Sequence, residues 1–203
     1  MLAIKLAVRN LLGAGLRTWL NVLVLSFSFV IIIWTRGLLA GWDRQAKSDT
    51  IKWEIAGGQY WHQGYNPFDP LTLSRGHGII PEEFSDGLND SAIVPVLISQ
   101  GTIYPGGRML SVIIRGVPPE QKLLAIPSEK LASKEGEVPA LVGNAMAASA
   151  KLREGDYVTL RWRDKNGTYD AIKIRIAAVF ETSVPTVDVG QIWLPIQKLR
   201  DML

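Results

Sequence analysis

The chain of 203 residues sets 22 Lys and Arg against 19 Asp and Glu, and 47% of it is apolar. That suffices for one membrane segment and a compact domain, and it is too apolar for a disordered chain. The pI of about 9.2 does not indicate a nucleic-acid binder: Lys5, Arg9, Arg17 and Arg36 precede Asp43, and all 19 acidic residues fall at or after it, so the positive excess belongs to the N-terminal segment.

Residues 3–17 carry Ile4, Leu6, Leu11, Leu12 and Leu16 among Lys5, Arg9, Asn10 and Arg17. This spacing predicts an amphipathic helix lying along the cytoplasmic membrane surface and bending at Gly13 or Gly15. Thr18 to Thr35 then form an uninterrupted uncharged run, TWLNVLVLSFSFVIIIWT, between Arg17 and Arg36. As a helix it covers ~27 Å, close to the hydrocarbon thickness of a bilayer. The basic start places the N-terminus in the cytoplasm and sends the remainder outward. Arg17, Trp19, Trp34 and Arg36 are the expected membrane-interface anchors, the tryptophans in the interfacial belt and Arg36 snorkelling to headgroups. A cleaved signal peptide would be shorter and followed by small residues, and a buried helix of a soluble protein is the other alternative; a retained span is preferred.

Residues 18–42 are therefore read as a transmembrane helix and stalk after a basic start at 1–17, and 43–203 as an extracytoplasmic domain, with 75–135 as a candidate inserted subdomain. Helical character extends through residue 50. Ile51 to Ile55 alternate apolar and polar residues, which predicts a strand. Residues 57–81, rich in Gly, Pro and aromatics, predict irregular structure, and Pro81-Glu82-Glu83-Phe84 a short helix. Strand patterns follow over Ala92–Gln100, Gly101–Tyr104 and Met109–Gly116, with a turn at Tyr104–Arg108. Pro118-Pro119-Glu120 opens a loop or short helix, and 127–139 reads as a polar surface connection.

In the last third, Leu141-Val142-Gly143 predicts a buried strand, and Asn144 caps a helix through Leu152. After the Glu154-Gly155-Asp156 turn, Val158, Leu160 and Trp162 alternate with polar residues. Asp164 to Gly167 turns the chain, and Ile172, Ile174 and Ile176 alternate in the return strand, the strongest hairpin signal present. Residues 182–190 read as a loop, Ile192–Leu194 as a strand, and Pro195 onward as a terminal helix. The expected class is α+β with mostly antiparallel pairing behind an N-terminal transmembrane helix.

Catalytic signals are sparse. Without cysteine there is no disulfide framework, lipobox, thiol nucleophile or thiolate-bound zinc. His62 and His77 sit in the irregular stretch; Asp69, Glu82 and Glu83 are the nearest candidate co-ligands, at no metal-binding spacing, and exposed loop histidines are the preferred reading. No P-loop motif or G-x-S-x-G occurs. Glu82 and Glu83, being adjacent, diverge and suit a first helical turn better than acid–base work. Arg161, Arg163, Lys173 and Arg175 fall on one hairpin face, read as a solvated face in preference to a dock for an acidic partner. No enzyme, cofactor or metal is expected.

Three segments nevertheless resemble a family. KLAVRNLLGAGLRTWL (5–20) is similar to the A-x-R-N-L-x-x-x-x-x-R-T entry to the first transmembrane helix of MacB/LolC/LolE-type (FtsX-like) ABC transporter permeases. VPVLISQG (94–101) with IIRGVPPE (113–120) resembles that family's strand and G-I-D-P-E turn, with Pro118 where Asp is usual. ALVGNAMA (140–147) with LREGDYVTL (152–160) resembles its L-I-G-x-x-L-A segment and G-D turn. The resemblance implies a periplasmic core domain with a porter-like part and a smaller inserted α/β part, and three further helices. The chain is then expected to be the N-terminal part of a four-helix permease, or to work with a partner supplying the rest. It further implies the bacterial inner membrane, a separate cytoplasmic ABC ATPase subunit, a second permease copy or homologue, membrane lipid as surroundings and no nucleic acid. The substrate expected on this resemblance is a lipoprotein, a peptide, a drug, or none. The competing reading is a single-span anchored binding or scaffold protein without an ATPase; an exported enzyme is a distant third.

Overall fold

A computed structural model describes residues 2–13, 15–66, 68–132 and 136–203; expectations falling on Ala14, Pro67 and residues 133–135 lie outside the described residues. The chain divides into two compact units, residues 1–47 and 48–203.

The first unit holds α1 (Leu2–Gly13) and most of α2 (Leu16–Thr50). The interruption falls where Gly13 and Gly15 were expected to bend the chain, and Thr18 N–H donates to the Gly15 carbonyl at 3.0 Å as α2 begins. No residue of α2 is buried. Within its apolar stretch the Ser28 hydroxyl donates to the Val24 carbonyl at 2.8 Å, which satisfies a polar group without water.

The second unit is built on a closed six-stranded barrel of order β1-β2-β6-β3-β5-β4. Its staves are β1 (Leu97–Ile103), β2 (Leu110–Val117), β3 (Pro139–Gly143), β4 (Tyr157–Arg163), β5 (Tyr169–Phe180) and β6 (Gln191–Pro195). Side-chain alternation sends Val158, Leu160 and Trp162 inward from β4, where they meet Ile103, Ile114, Val142, Ile174, Ile192 and Leu194. A short helix, α3 (Ser85–Asn89), precedes β1, and Met146 from α4 (Asn144–Ala150) and Leu199 from α6 (Ile196–Met202) complete this core. A second cluster coats part of the outer wall: Leu124, Ile126 and Leu131, with Val184 and Val187, cover Val117, Leu141, Phe180 and Trp193. Strands β3 and β6 are thus buried on both faces, which accounts for their unbroken apolar sequences.

The expected mixture of helices and strands is present, and both hairpins form: Ile103 pairs with Leu110 and Arg163 with Tyr169. The sheet departs from a purely antiparallel plan, since β2–β6 and β3–β5 run parallel. Several local expectations are corrected. Ile51–Ile55 is one π-helical turn continuing from α2; its alternation reflects a turn clasped on the barrel rather than a strand's two faces. The two short strand patterns before Tyr104 are the single strand β1. Residues 182–190 contain α5 (Pro185–Gly190), a helix opened by Pro185 and held by buried Val187. The connection after residue 127 is not all surface, because Ser128 and Leu131 are buried.

Asn144 does not cap α4, and the helix ends at Ala150. The acceptor comes instead from a distant segment: Ala145 N–H donates to Asp188 Oδ1 at 3.0 Å. This brings α5 so close that a Cβ on Gly143 would overlap the Asp188 backbone. We therefore expect Gly143→Ala to destabilise the barrel by about 1–3 kcal/mol, the usual cost of overpacking, read as a lowered midpoint in denaturant unfolding of the detergent-solubilised chain.

Candidate functional site

The first candidate feature is α2 itself. Its most apolar window has a mean hydropathy of 2.2 and is 0% buried, so this one helix is long and apolar enough to cross a membrane. Apolar side chains emerge all round it, from Leu20 and Leu23 to Ile33 and Trp34, rather than along one stripe. Arg17, Trp19, Trp34 and Arg36 all lie on α2, with Trp19 and Trp34 ~23 Å apart along the axis. Trp19 is 51% exposed and Trp34 67%, leaving both rings open to their surroundings. Further along, Lys47 and Asp43 pair at 2.7 Å in an exposed i,i+4 arrangement, a minor contribution to the helix.

The second feature is where the chain leaves α2. The carbonyl of Ile51 accepts from Ala56 N–H at 2.7 Å, closing the π turn, and Ala56 takes a left-handed conformation with φ of 60°. The wider turn brings sequence neighbours Trp53 and Glu54 onto the barrel together. Trp53 stacks on Phe180 with centroids 5.8 Å apart and planes 11° from parallel. Ser183 Oγ donates to Asp49 Oδ2 at 2.6 Å, and Ala125 N–H to the Lys52 carbonyl at 3.0 Å.

Glu54 is the centre of this joint. Its Oε1 accepts from Arg115 Nη2 at 3.0 Å and from Gln191 Nε2 at 3.4 Å, and its Oε2 accepts from Thr186 Oγ1 at 3.0 Å. Arg115 and Gln191 stand on adjacent parallel strands, β2 and β6, and Thr186 on α5. Arg115 also lies over Trp193, 5.3 Å from the ring centroid, a cation–π contact. Arg115 is 8% exposed. Burial pushes its guanidinium below the ordinary arginine range, and the Glu54 carboxylate pulls it back up by charge and by hydrogen bond. Removing Glu54 would leave the buried Arg115 without its counter-charge.

The sequence assigns no role to this joint: Arg115 falls within the IIRGVPPE resemblance, and Glu54 within a strand-like alternation. The signal was a single cation inside the apolar run SVIIRGV; buried arginines are seldom unpaired, but nothing local names a partner 61 positions away.

The other candidates are dispersed. His62 and His77 are exposed; His62 Nδ1 accepts from Gly64 N–H at 3.1 Å, and Asp69 Oδ1 caps the turn at Leu71. Glu82 and Glu83 lie in a short 3-10 turn. Among the described residues no three His, Asp or Glu side chains gather where they could hold a metal. The basic hairpin face is partly engaged: Arg161 stacks over Tyr169 at 4.2 Å, Arg163 Nε donates to the Gly167 carbonyl at 3.0 Å, and Arg175 pairs with Glu137 at 2.7 Å. Lys173 is exposed.

Glu137 Oε1 also accepts from the Tyr157 hydroxyl at 2.8 Å, and this bond raises the tyrosine pKa above its ordinary value. The folded protein holds this proton more tightly than the unfolded chain does. The bond's contribution is therefore complete below the ordinary tyrosine range, near pH ~10, and is lost as pH rises through the raised folded value. Glu137→Ala should move the ultraviolet titration of Tyr157 downward, scored against Tyr157→Phe. For the joint, a double-mutant cycle with Glu54→Ala and Arg115→Ala should give single effects that do not add, with a coupling energy of about 1–2 kcal/mol measured by denaturant unfolding.

No family model matches the chain, and no curated protein matches it.

Proposed function

We propose that the chain is the N-terminal, membrane-spanning part of an ABC transporter permease of the MacB/LolC/LolE type, in the bacterial inner membrane with its N-terminus cytoplasmic. In this reading Arg17, Trp19, Trp34 and Arg36 hold α2 at its depth, and the barrel unit serves as the porter-like extracytoplasmic domain. A separate cytoplasmic ATPase, paired with a second permease copy or homologue, moves the membrane helices, and the barrel follows to extrude a lipoprotein or other substrate. The work is mechanical coupling between two arrangements biased by nucleotide.

The observation that carries the reading is the joint. The last turn of α2 and the π turn after it belong to the barrel unit and are held there by Glu54, Trp53 and Asp49. A flexible linker here would absorb a pull, whereas an anchored junction can transmit one. The resemblance at 5–20, 94–120 and 140–160 supports the same reading.

The deciding experiment is affinity purification of the tagged chain from membranes of its host. An ATP-binding-cassette ATPase should co-purify, and Val30→Asp, which costs ~2.5–3.5 kcal/mol of insertion at the helix centre, should abolish both its recovery and the chain's resistance to carbonate extraction. Membrane recovery without any ATPase would favour a single-span anchored scaffold. A reporter fused after Leu203 that is active only in the cytosol would overturn the orientation.

A further inference from the structure

We infer that the Glu54 joint is a releasable latch, with the π turn able to leave its seat on β2 and β6 while the barrel stays folded. The inference deepens the proposed coupling function and rests on that reading for what pulls the latch, but the latch itself follows from the geometry of the seat.

The seat is incompletely satisfied. Arg115 Nε, Gln191 Oε1 and Trp193 Nε1 are buried with no hydrogen-bond partner among the described residues. All three belong to the residues around Glu54, and their hosts are at most 8% exposed. A docked Glu54 contributes an ion pair and, counting that contact, three hydrogen bonds, yet leaves two donors and an acceptor of the seat without a protein partner among the described residues. Release forfeits the pair, the Gln191 and Thr186 hydrogen bonds, the Ala125–Lys52 backbone bond and the Trp53–Phe180 stack, and opens the seat to water. Hydration of the unmet groups offsets part of that loss and narrows the gap between the two states.

The clasping segment is also light. From the turn only Trp53 and Ala56 pack on the outer apolar cluster, both partly buried. The Glu54 side chain is 21% exposed against 9% for Arg115, so water already reaches the side that would move. The backbone is suited to motion as well. A π turn is an irregular helical end often found at functional sites, Ala56 sits at φ 60°, and Gly57 follows at φ 135° with Gly58 beyond. The barrel side is fixed by contrast: Arg115 and Trp193 are register partners in the β2–β6 ladder, and Trp193 is fully buried. The latch parts at the turn, not within the wall.

Hydrogen exchange on the full chain in lipid nanodiscs tests this. Amides of 51–58 should exchange at least about tenfold faster than those of β2 and β6. Glu54→Gln keeps the side chain's shape and removes its charge; it should speed the turn by roughly tenfold more, with both strands still protected well beyond the turn. Because the chain has no cysteine, Asp49→Cys with Ser183→Cys introduces a single candidate cross-link, and its oxidation should slow the turn to the strands' rate, reversibly with reductant. A turn that exchanges together with β2 and β6, in the wild type or in Glu54→Gln, would make the joint a permanent weld and overturn the latch. Either result leaves the transporter reading standing, whereas failure to recover an ATPase leaves the latch standing.

Discussion

A guanidinium withdrawn from water must find a counter-charge, and Arg115 finds it on Glu54, across 61 positions of sequence. Much of the outer wall is organised by that requirement. Strands β2 and β6 must lie side by side for Arg115 and Gln191 to reach one carboxylate oxygen. Helix α5 must fold to bring Thr186 to the other. The chain leaving α2 must widen into a π turn for Glu54 to arrive beside Trp53. One buried charge thus ties three otherwise separate segments together.

The apolar framework supplies the rigidity that makes such a tie consequential. The barrel interior is filled by side chains from all six staves, and its closure leaves no free sheet edge. The outer cluster then thickens the wall under Trp53, from Val117 and Phe180 to the buried ring of Trp193. The polar groups of the joint sit at the border of this cluster. There burial is deep enough to make charges matter, and solvent near enough to compete for them.

The parts governed by local pattern were legible in the sequence. The uncharged run between Arg17 and Arg36, the break near Gly13 and Gly15, and the hairpin from Val158 to Ile176 depend on periodicity and turn chemistry within a few residues. What escaped depended on contacts that only closure creates. Ile51–Ile55 alternates like a strand, yet it is a helical turn that seats the neighbours Trp53 and Glu54 together on the barrel and leaves Ile51 exposed. Asn144 looked like a cap, but Asp188, brought by α5, occupies that role. Parallel β2–β6 pairing is invisible to any local rule, since nothing in QIWLP says which stave it will join. The joint was illegible for the same reason: Arg115 advertised a need, and its partner could be named only once the topology was known.

The insertion of β6 between β2 and β3 has a consequence for biogenesis. β6 follows every other stave along the chain, so during synthesis the edges of β2 and β3 wait unpaired until the last one emerges. The long apolar helix α2 precedes all six staves along the chain, so it is made while the wall is still open. An open, sticky sheet is prone to wrong pairings with its neighbours, and its long-range ladders close slowly. Nascent chains of this protein would therefore pass through a vulnerable interval in which a holdase has most to offer.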